Sequence, residues 1–270
     1  MEAFFLPAAV GQRFCIYHAA SGPLARGSLL YIHPFAEEMN KSRRMVALQA
    51  RAFSSAGYAV LQVDLMGCGD SSGDFADAAW ESWVQDATLA CEWLRRRSSA
   101  PLWIWGLRSG CLIAVEAARR LKPALPLLFW QPSLDGSQVL RQFLRLKSAA
   151  EMLSGSAGGV VDSLRRDLAE GKSVEVAGYE LAPELASGLE RATLAPPHPG
   201  TRLEWLEVSS REVTDPPNVV ARAKLQWEQA GCSVRYVSVQ GPAFWQTIEI
   251  EEAPNLISAT LTALLEPVAA

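Results

Sequence analysis

Apolar and polar positions along the chain fall into two alternating rhythms. Short runs rich in Val, Ile, Leu and aromatic residues read as strands: Ser28–His33, Tyr58–Asp64, Pro101–Gly106, Leu125–Trp130, Leu203–Val208 and Ser233–Val239. Four of them are nearly continuous in apolar residues, the pattern of strands buried on both faces of a parallel sheet. Helical stripes lie between them. Trp80, Trp83, Val84, Ala87, Cys91 and Leu94 share one face by the i, i+3, i+4 rule. Ser109–Leu121, Asn218–Ala230 and Ala253–Leu265 read as further helices. Strand-then-helix repetition predicts an α/β fold: a doubly wound, mostly parallel sheet with right-handed crossovers.

One stretch breaks the rhythm. From Ser133 to Thr201 the pattern holds no convincing strand. It carries helical segments at Ser137–Leu153 and Val160–Glu170, a Gly/Ser patch at Ser154–Gly159 and a Pro-rich exit at Pro196–Gly200. The chain therefore divides into a core of residues 1–132 and 202–270 and an insertion of residues 133–201. A stretch this long inside a compact domain is usually functional or disordered. It is expected to form a helical lid over the carboxyl edge of the sheet, where ligands of open α/β sheets sit.

Composition narrows the function classes. Apolar residues make up 49% of the 270 and charged residues 20%, a globular balance. A net charge of −4 provides no basic field for phosphates, so nucleic acid is not an expected partner. The longest stretch free of Asp, Glu, Lys and Arg has 13 residues, too short for a spanning helix. The start, Met1-Glu-Ala-Phe-Phe-Leu-Pro7, lacks the basic flank and apolar core of a secretion signal, so a cytoplasmic location is expected. Five scattered cysteines with no C-x-x-C spacing, and only three histidines, point to neither a disulfide framework nor a metal site. No cofactor is expected.

Three segments carry candidate chemistry, each at the end of a predicted strand. Ile32-His33-Pro34-Phe35 follows the first. Asp64-Leu-Met-Gly67-Cys-Gly69-Asp-Ser71-Ser-Gly73 follows the second and fits D-x-x-G-x-G-x-S-x-G. Trp105-Gly106-Leu107-Arg108-Ser109-Gly110-Cys111 follows the third and opens a helix. In this order and spacing the chain resembles the α/β-hydrolase superfamily over nearly its whole length. More narrowly, His33–Arg44 (His-Pro-Phe-Ala-Glu-Glu-Met-Asn-Lys-Ser-Arg-Arg) and Gly241-Pro-Ala-Phe-Trp245 look like the second of two hydrolase-like proteins that accompany exosortase A systems. Those proteins are encoded beside exopolysaccharide and protein-sorting genes.

The departures from that resemblance decide the expectation. The superfamily nucleophile sits in G-x-S-x-G on a strained strand-to-helix turn. Here the turn reads Gly106-Leu107-Arg108-Ser109-Gly110, with an arginine where the serine belongs. A guanidinium stays protonated and cannot attack a carbonyl. Ser109 comes one position late. No histidine follows the last strand, where Phe244 and Trp245 stand instead, and His198 falls inside the insertion. Glu212 or Asp215 could fill the acid position, but a carboxylate without an imidazole to orient does nothing for acyl transfer. Gly69-Asp70-Ser71-Ser72-Gly73 is the only literal G-x-S-x-G, in a loop where the superfamily carries it as a turn.

His33 stands where the superfamily braces its oxyanion loop, and Glu37 and Glu38 follow it, ahead of a helix expected to begin near Lys41. Three readings stay open, one of them a purely structural partner protein whose pocket is closed by Trp245 and Arg108. In the first, the protein is non-catalytic and binds a small molecule, a lipid-linked intermediate or a protein under the lid. Its pocket would be built from His33, Phe35, Glu37, Glu38, Arg108, Ser109, Phe244 and Trp245. In the second, a serine hydrolase or acyl transferase uses displaced groups, Ser109 or Ser71 with His33 and Glu212. Arg108, buried at the elbow, should need a carboxylate partner. Glu37 is expected first, then Glu38, then Glu212.

Overall fold

A computed structural model describes residues 1–153, 159–211 and 215–265. The predicted strands all form, and two more precede them. Strands β1 (Glu2–Pro7), β2 (Gln12–His18), β3 (Gly27–Ile32), β4 (Tyr58–Val63), β5 (Leu102–Leu107) and β6 (Leu127–Trp130) come before the insertion. Strands β9 (Arg202–Ser209) and β10 (Ser233–Gln240) follow it. They make one eight-stranded sheet in the order β1-β2-β4-β3-β5-β6-β9-β10. β1 and β2 are antiparallel, and every pairing from β4 to β10 is parallel. β3, β5 and β6 are fully buried, as their unbroken apolar runs require.

Helices cover both faces. Helix α1 (Glu37–Ser55) and helix α8 (Pro254–Leu265) pack on one, around Phe53, Trp105, Trp130 and Leu256. Helices α2 (Trp80–Arg97), α3 (Gly110–Arg120) and α7 (Asn218–Gln229) pack on the other, around Trp83, Cys111, Phe129 and Trp227. The arrangement is the α/β-hydrolase fold. All five cysteines are free and buried. Burial pushes the thiols of Cys15 and Cys91 up to about 12, and raises those of Cys68 and Cys111 as well.

The segment between β6 and β9 holds helices α4 (Gly136–Leu153), α5 (Val160–Ala169) and α6 (Pro183–Arg191). It also holds a hairpin of β7 (Val174–Val176) and β8 (Tyr179–Leu181), which corrects the strandless reading of residues 133–201. Ala177 and Gly178 close that hairpin with φ of 50° and 83°, and each strand is three residues long. The Ser154–Gly159 patch falls almost wholly outside the described residues. Helix α6 docks on α2 closely enough that a Cβ at Gly188 would lie 2.0 Å from the Trp80 Cβ.

Chain order reverses at β3, with β4 on one side and β5 on the other. The loops leaving β3 and β5 therefore stand side by side at the carboxyl edge. This is the switch point where open α/β sheets bind ligands.

Candidate functional site

The turn after β5 is an elbow in its backbone. Arg108 has φ 54°, a left-handed conformation that costs a non-glycine residue about 1–2 kcal/mol. The strain persists because both flanking glycines hold the turn against its neighbours. A Cβ at Gly106 would lie 2.8 Å from Cys111 N and Cα, and one at Gly110 would lie 2.4 Å from Ile32 O and 2.6 Å from His33 O. The Arg108 N–H donates to Trp130 O at 3.0 Å, and its carbonyl accepts from Ser133 N–H at 3.1 Å. The elbow is thus tied to the neighbouring strand end.

Arg108 has its carboxylate, and the carboxylate is Glu38. Arg108 Nε lies 3.3 Å from Glu38 Oε1, with the two side chains 18% and 20% exposed. Nη1 donates to Gln131 O at 3.5 Å, and the guanidinium stands 5.5 Å from the Trp245 ring centre. Glu37, expected to be the first partner, is not the partner. Helix α1 begins at Glu37 rather than near Lys41, which puts both acids in its first turn. Consecutive residues of a helix point about 100° apart, and in this phase Glu38 is the acid that faces Arg108. Glu37 Oε2 is buried without a hydrogen-bond partner among the described residues. Burial pushes the Glu38 pKa up, and Arg108 only partly offsets it. Glu212 lies outside the described residues, and Asp215 is exposed.

Ser109 is 3% exposed, and its Oγ accepts the Phe35 N–H at 2.8 Å. In this fold the loop after β3 supplies one oxyanion donor, and the residue after the nucleophile supplies the other. The Phe35 donor is already engaged. His33, 4% exposed, contacts Pro34 O through Nδ1 at 2.8 Å and accepts the Leu65 N–H on Nε2 at 3.3 Å. These contacts fix the neutral ring with its proton on Nδ1, and burial lowers its pKa. Both ring nitrogens are spent on bracing two loops.

Ser71 sits elsewhere, in the turn after β4. Its hydroxyl donates to Asp64 O at 2.5 Å and accepts the Phe14 N–H at 2.9 Å. The Asp64 carboxylate accepts from Asp70 N–H at 3.3 Å and pairs with Arg43 at 3.2 Å. The literal G-x-S-x-G is a hydrogen-bonded turn. His198 lies against Ala118 O at 3.2 Å, in the Pro-rich exit. Phe244 and Trp245 fill the loop after β10, 1% and 4% exposed. Phe244 meets Trp130 edge-on at 6.0 Å.

Two cavities flank Arg108 beneath α4. One of about 350 Å³ is bordered by Phe35, Glu37, Lys41, Phe143, Leu146 and Trp245. The other, of about 250 Å³, is bordered by Gln131, Asp135, Gln138, Glu207 and Val220. Arg108, Val139 and Gln142 border both. Phe35 meets Phe143 of α4 edge-on at 5.0 Å, tying the β3 loop to the insertion. Glu207 is not among the acids the sequence pattern singles out, because it lies within β9 rather than after it. Its carboxylate accepts from Trp205 Nε1 at 3.1 Å and Tyr236 OH at 3.2 Å, and burial raises its pKa. Among the described residues no cluster of His, Cys, Asp and Glu is arranged to hold a metal ion, and no helix is long and apolar enough to cross a membrane.

Comparison with known proteins agrees with the fold. The X-Pro dipeptidyl-peptidase (S15) family profile matches residues 23–136, the part that contains the β3 loop and the elbow. Human Protein ABHD12B is 34% identical over 117 residues, 42% of this chain and 30% of that protein. Zebrafish (Danio rerio) lysophosphatidylserine lipase ABHD12 is 33% identical over 94 residues, 34% of this chain and 23% of the lipase. The chain thus matches less than a third of the length of either curated relative. Among solved structures, Est1E from Butyrivibrio proteoclasticus with ferulic acid bound superposes with a TM-score of 0.73 at 14% identity, over 99% of this chain and 100% of that one.

Proposed function

The chain has the α/β-hydrolase fold, and from that premise we propose that it is a non-hydrolytic member which binds a ligand beside Arg108. The observation that carries the reading is the elbow itself. A strained turn built for a nucleophile presents a guanidinium ion-paired to Glu38. The surrounding groups support it. Ser109 Oγ is occupied by the Phe35 N–H, His33 by two backbone groups and Ser71 by two others. The displaced-residue hydrolase would need at least one serine to meet a free imidazole nitrogen. The insertion acts as the lid in this reading, with α4 closing the two cavities. The His33–Arg44 and Gly241–Trp245 segments support a role beside an exosortase A or exopolysaccharide locus, in the cytoplasm. There the ligand would be a small or lipid-linked molecule or a protein segment.

The test is chemical. Treated with a fluorophosphonate probe and short-chain nitrophenyl esters, the full chain should show no labelling and no turnover above the uncatalysed rate. Robust turnover abolished by Ser109→Ala would overturn the reading.

A further inference from the structure

The larger cavity has a charged floor and apolar walls. On the floor, Arg108 meets Glu38 through Nε alone, at 3.3 Å; its Nη1 donates to Gln131 O, at the border of the second cavity, at 3.5 Å. Both contacts are long for charge-assisted hydrogen bonds, and neither is the two-pronged fork that a guanidinium can offer a carboxylate. Nη2 has no hydrogen-bond partner among the described residues. The walls come from Phe35, Phe143, Leu146 and Trp245, and Lys41 adds a second cation at the border. The cavity across Arg108 carries Asp135 and Glu207 with no cation besides Arg108 among the described residues, whereas here Lys41 and Arg108 together balance Glu37 and Glu38.

Resting on the binding reading above, we propose that the cavity of about 350 Å³ binds a monoanionic amphiphile, a carboxylate attached to an acyl chain or aryl group. Its carboxylate takes Nε and the unengaged Nη2 of Arg108, and its apolar body lies against Phe143, Leu146 and Trp245. Glu38 is the internal stand-in for that carboxylate, and the ligand displaces it. One charge is favoured over two because Glu37 and Glu38 border the same space, so a dianion meets two carboxylates there. A carboxylate is favoured over a neutral ester or amide because only the anion compensates the guanidinium once Glu38 moves away. The volume is within the usual range for small-ligand sites.

Calorimetric titration of the full chain with octanoate, octanamide and octyl phosphate tests this. Octanoate should bind one per chain, and the neutral amide and the dianionic phosphate at least tenfold more weakly. Arg108→Gln should weaken octanoate at least tenfold. Glu38→Gln, which removes the competitor, should tighten it several-fold and keeps the test decisive if the arginine variant fails to fold. Equal affinity for octanoate and octanamide, or unchanged octanoate affinity in Glu38→Gln, would overturn the proposal. Turnover of nitrophenyl octanoate by the same preparation sinks the non-hydrolytic reading without bearing on the preference for an anion. Loss of that preference in an inert protein sinks this inference alone.

Discussion

Two glycine-bounded turns stand at the carboxyl edge of the sheet, Gly69–Gly73 after β4 and Gly106–Gly110 after β5. The first has the letters of a nucleophile motif and the second has its geometry. At Gly69–Gly73 the serine hydroxyl is consumed by Asp64 O and Phe14 N, and the turn closes on the Asp64 carboxylate. At Gly106–Gly110 the central residue has φ 54° and both glycines abut backbone or helix atoms. An elbow is identified by its backbone and by what its glycines touch, not by which residue lies between them.

Substitution at Gly110 should have the largest effect. A methyl group there meets two backbone carbonyls that cannot move independently of β3 and its loop. Gly110→Ala should cost about 3 kcal/mol and lower the melting temperature by roughly 10 °C in calorimetry. A variant melting like the parent would show that the elbow is not held by that contact. Ser71→Ala comes next. It leaves the part-buried Phe14 N–H without its acceptor, so urea unfolding should show a loss of about 1 kcal/mol. Octanoate affinity should be untouched, because Ser71 borders neither cavity at Arg108.

A smaller effect concerns pH. Burial lowers the His33 pKa below the ordinary 6.5, so the native ring stays neutral where the unfolded one already takes a proton. The contribution is complete above pH 6.5 and is lost as pH falls from there through the native pKa. His18 is lowered in the same direction, so His33→Gln should flatten the acid limb of a stability–pH curve without abolishing it. An unchanged limb would mean that the buried ring is not its source. The smallest expected change is none at all. Arg108→Ser should remain without esterase activity, since the new hydroxyl meets no imidazole able to accept its proton. Adding Ala243→His to that variant gives the loop after β10 the missing base, and any turnover should appear only in the double variant.

Much of the fold is legible in the order of the residues alone, and the exceptions have physical causes. The central strands stand out because burial on both faces demands unbroken apolar runs. β1 and β2 do not, since β1 lies at the sheet edge with most of its side chains exposed or half-buried. The β7–β8 hairpin is hidden because three-residue strands are too short to show a period and its turn is Ala-Gly rather than Asn-Gly or Asp-Gly. The elbow and its need for a carboxylate are visible in Arg108 and its flanking glycines. The choice of Glu38 over Glu37 is not, because it depends on helix phase, and α1 starts four residues earlier than the polar pattern indicates. Glu207 is masked by the expectation that an acid belongs after the strand, whereas it lies within β9.

The buried thiols give the molecule a clock. Electrophiles and oxidants attack thiolates, and a sulfhydryl that titrates near 12 offers almost none at neutral pH. Modification of Cys15, Cys91 or Cys111 must therefore wait for the surrounding structure to open. Mass spectrometry of a maleimide time course then counts those openings separately in β2, α2 and the helix behind the elbow. One shared rate marks a chain that opens as a unit. A faster Cys111 marks an elbow that loosens while the sheet around it stays closed.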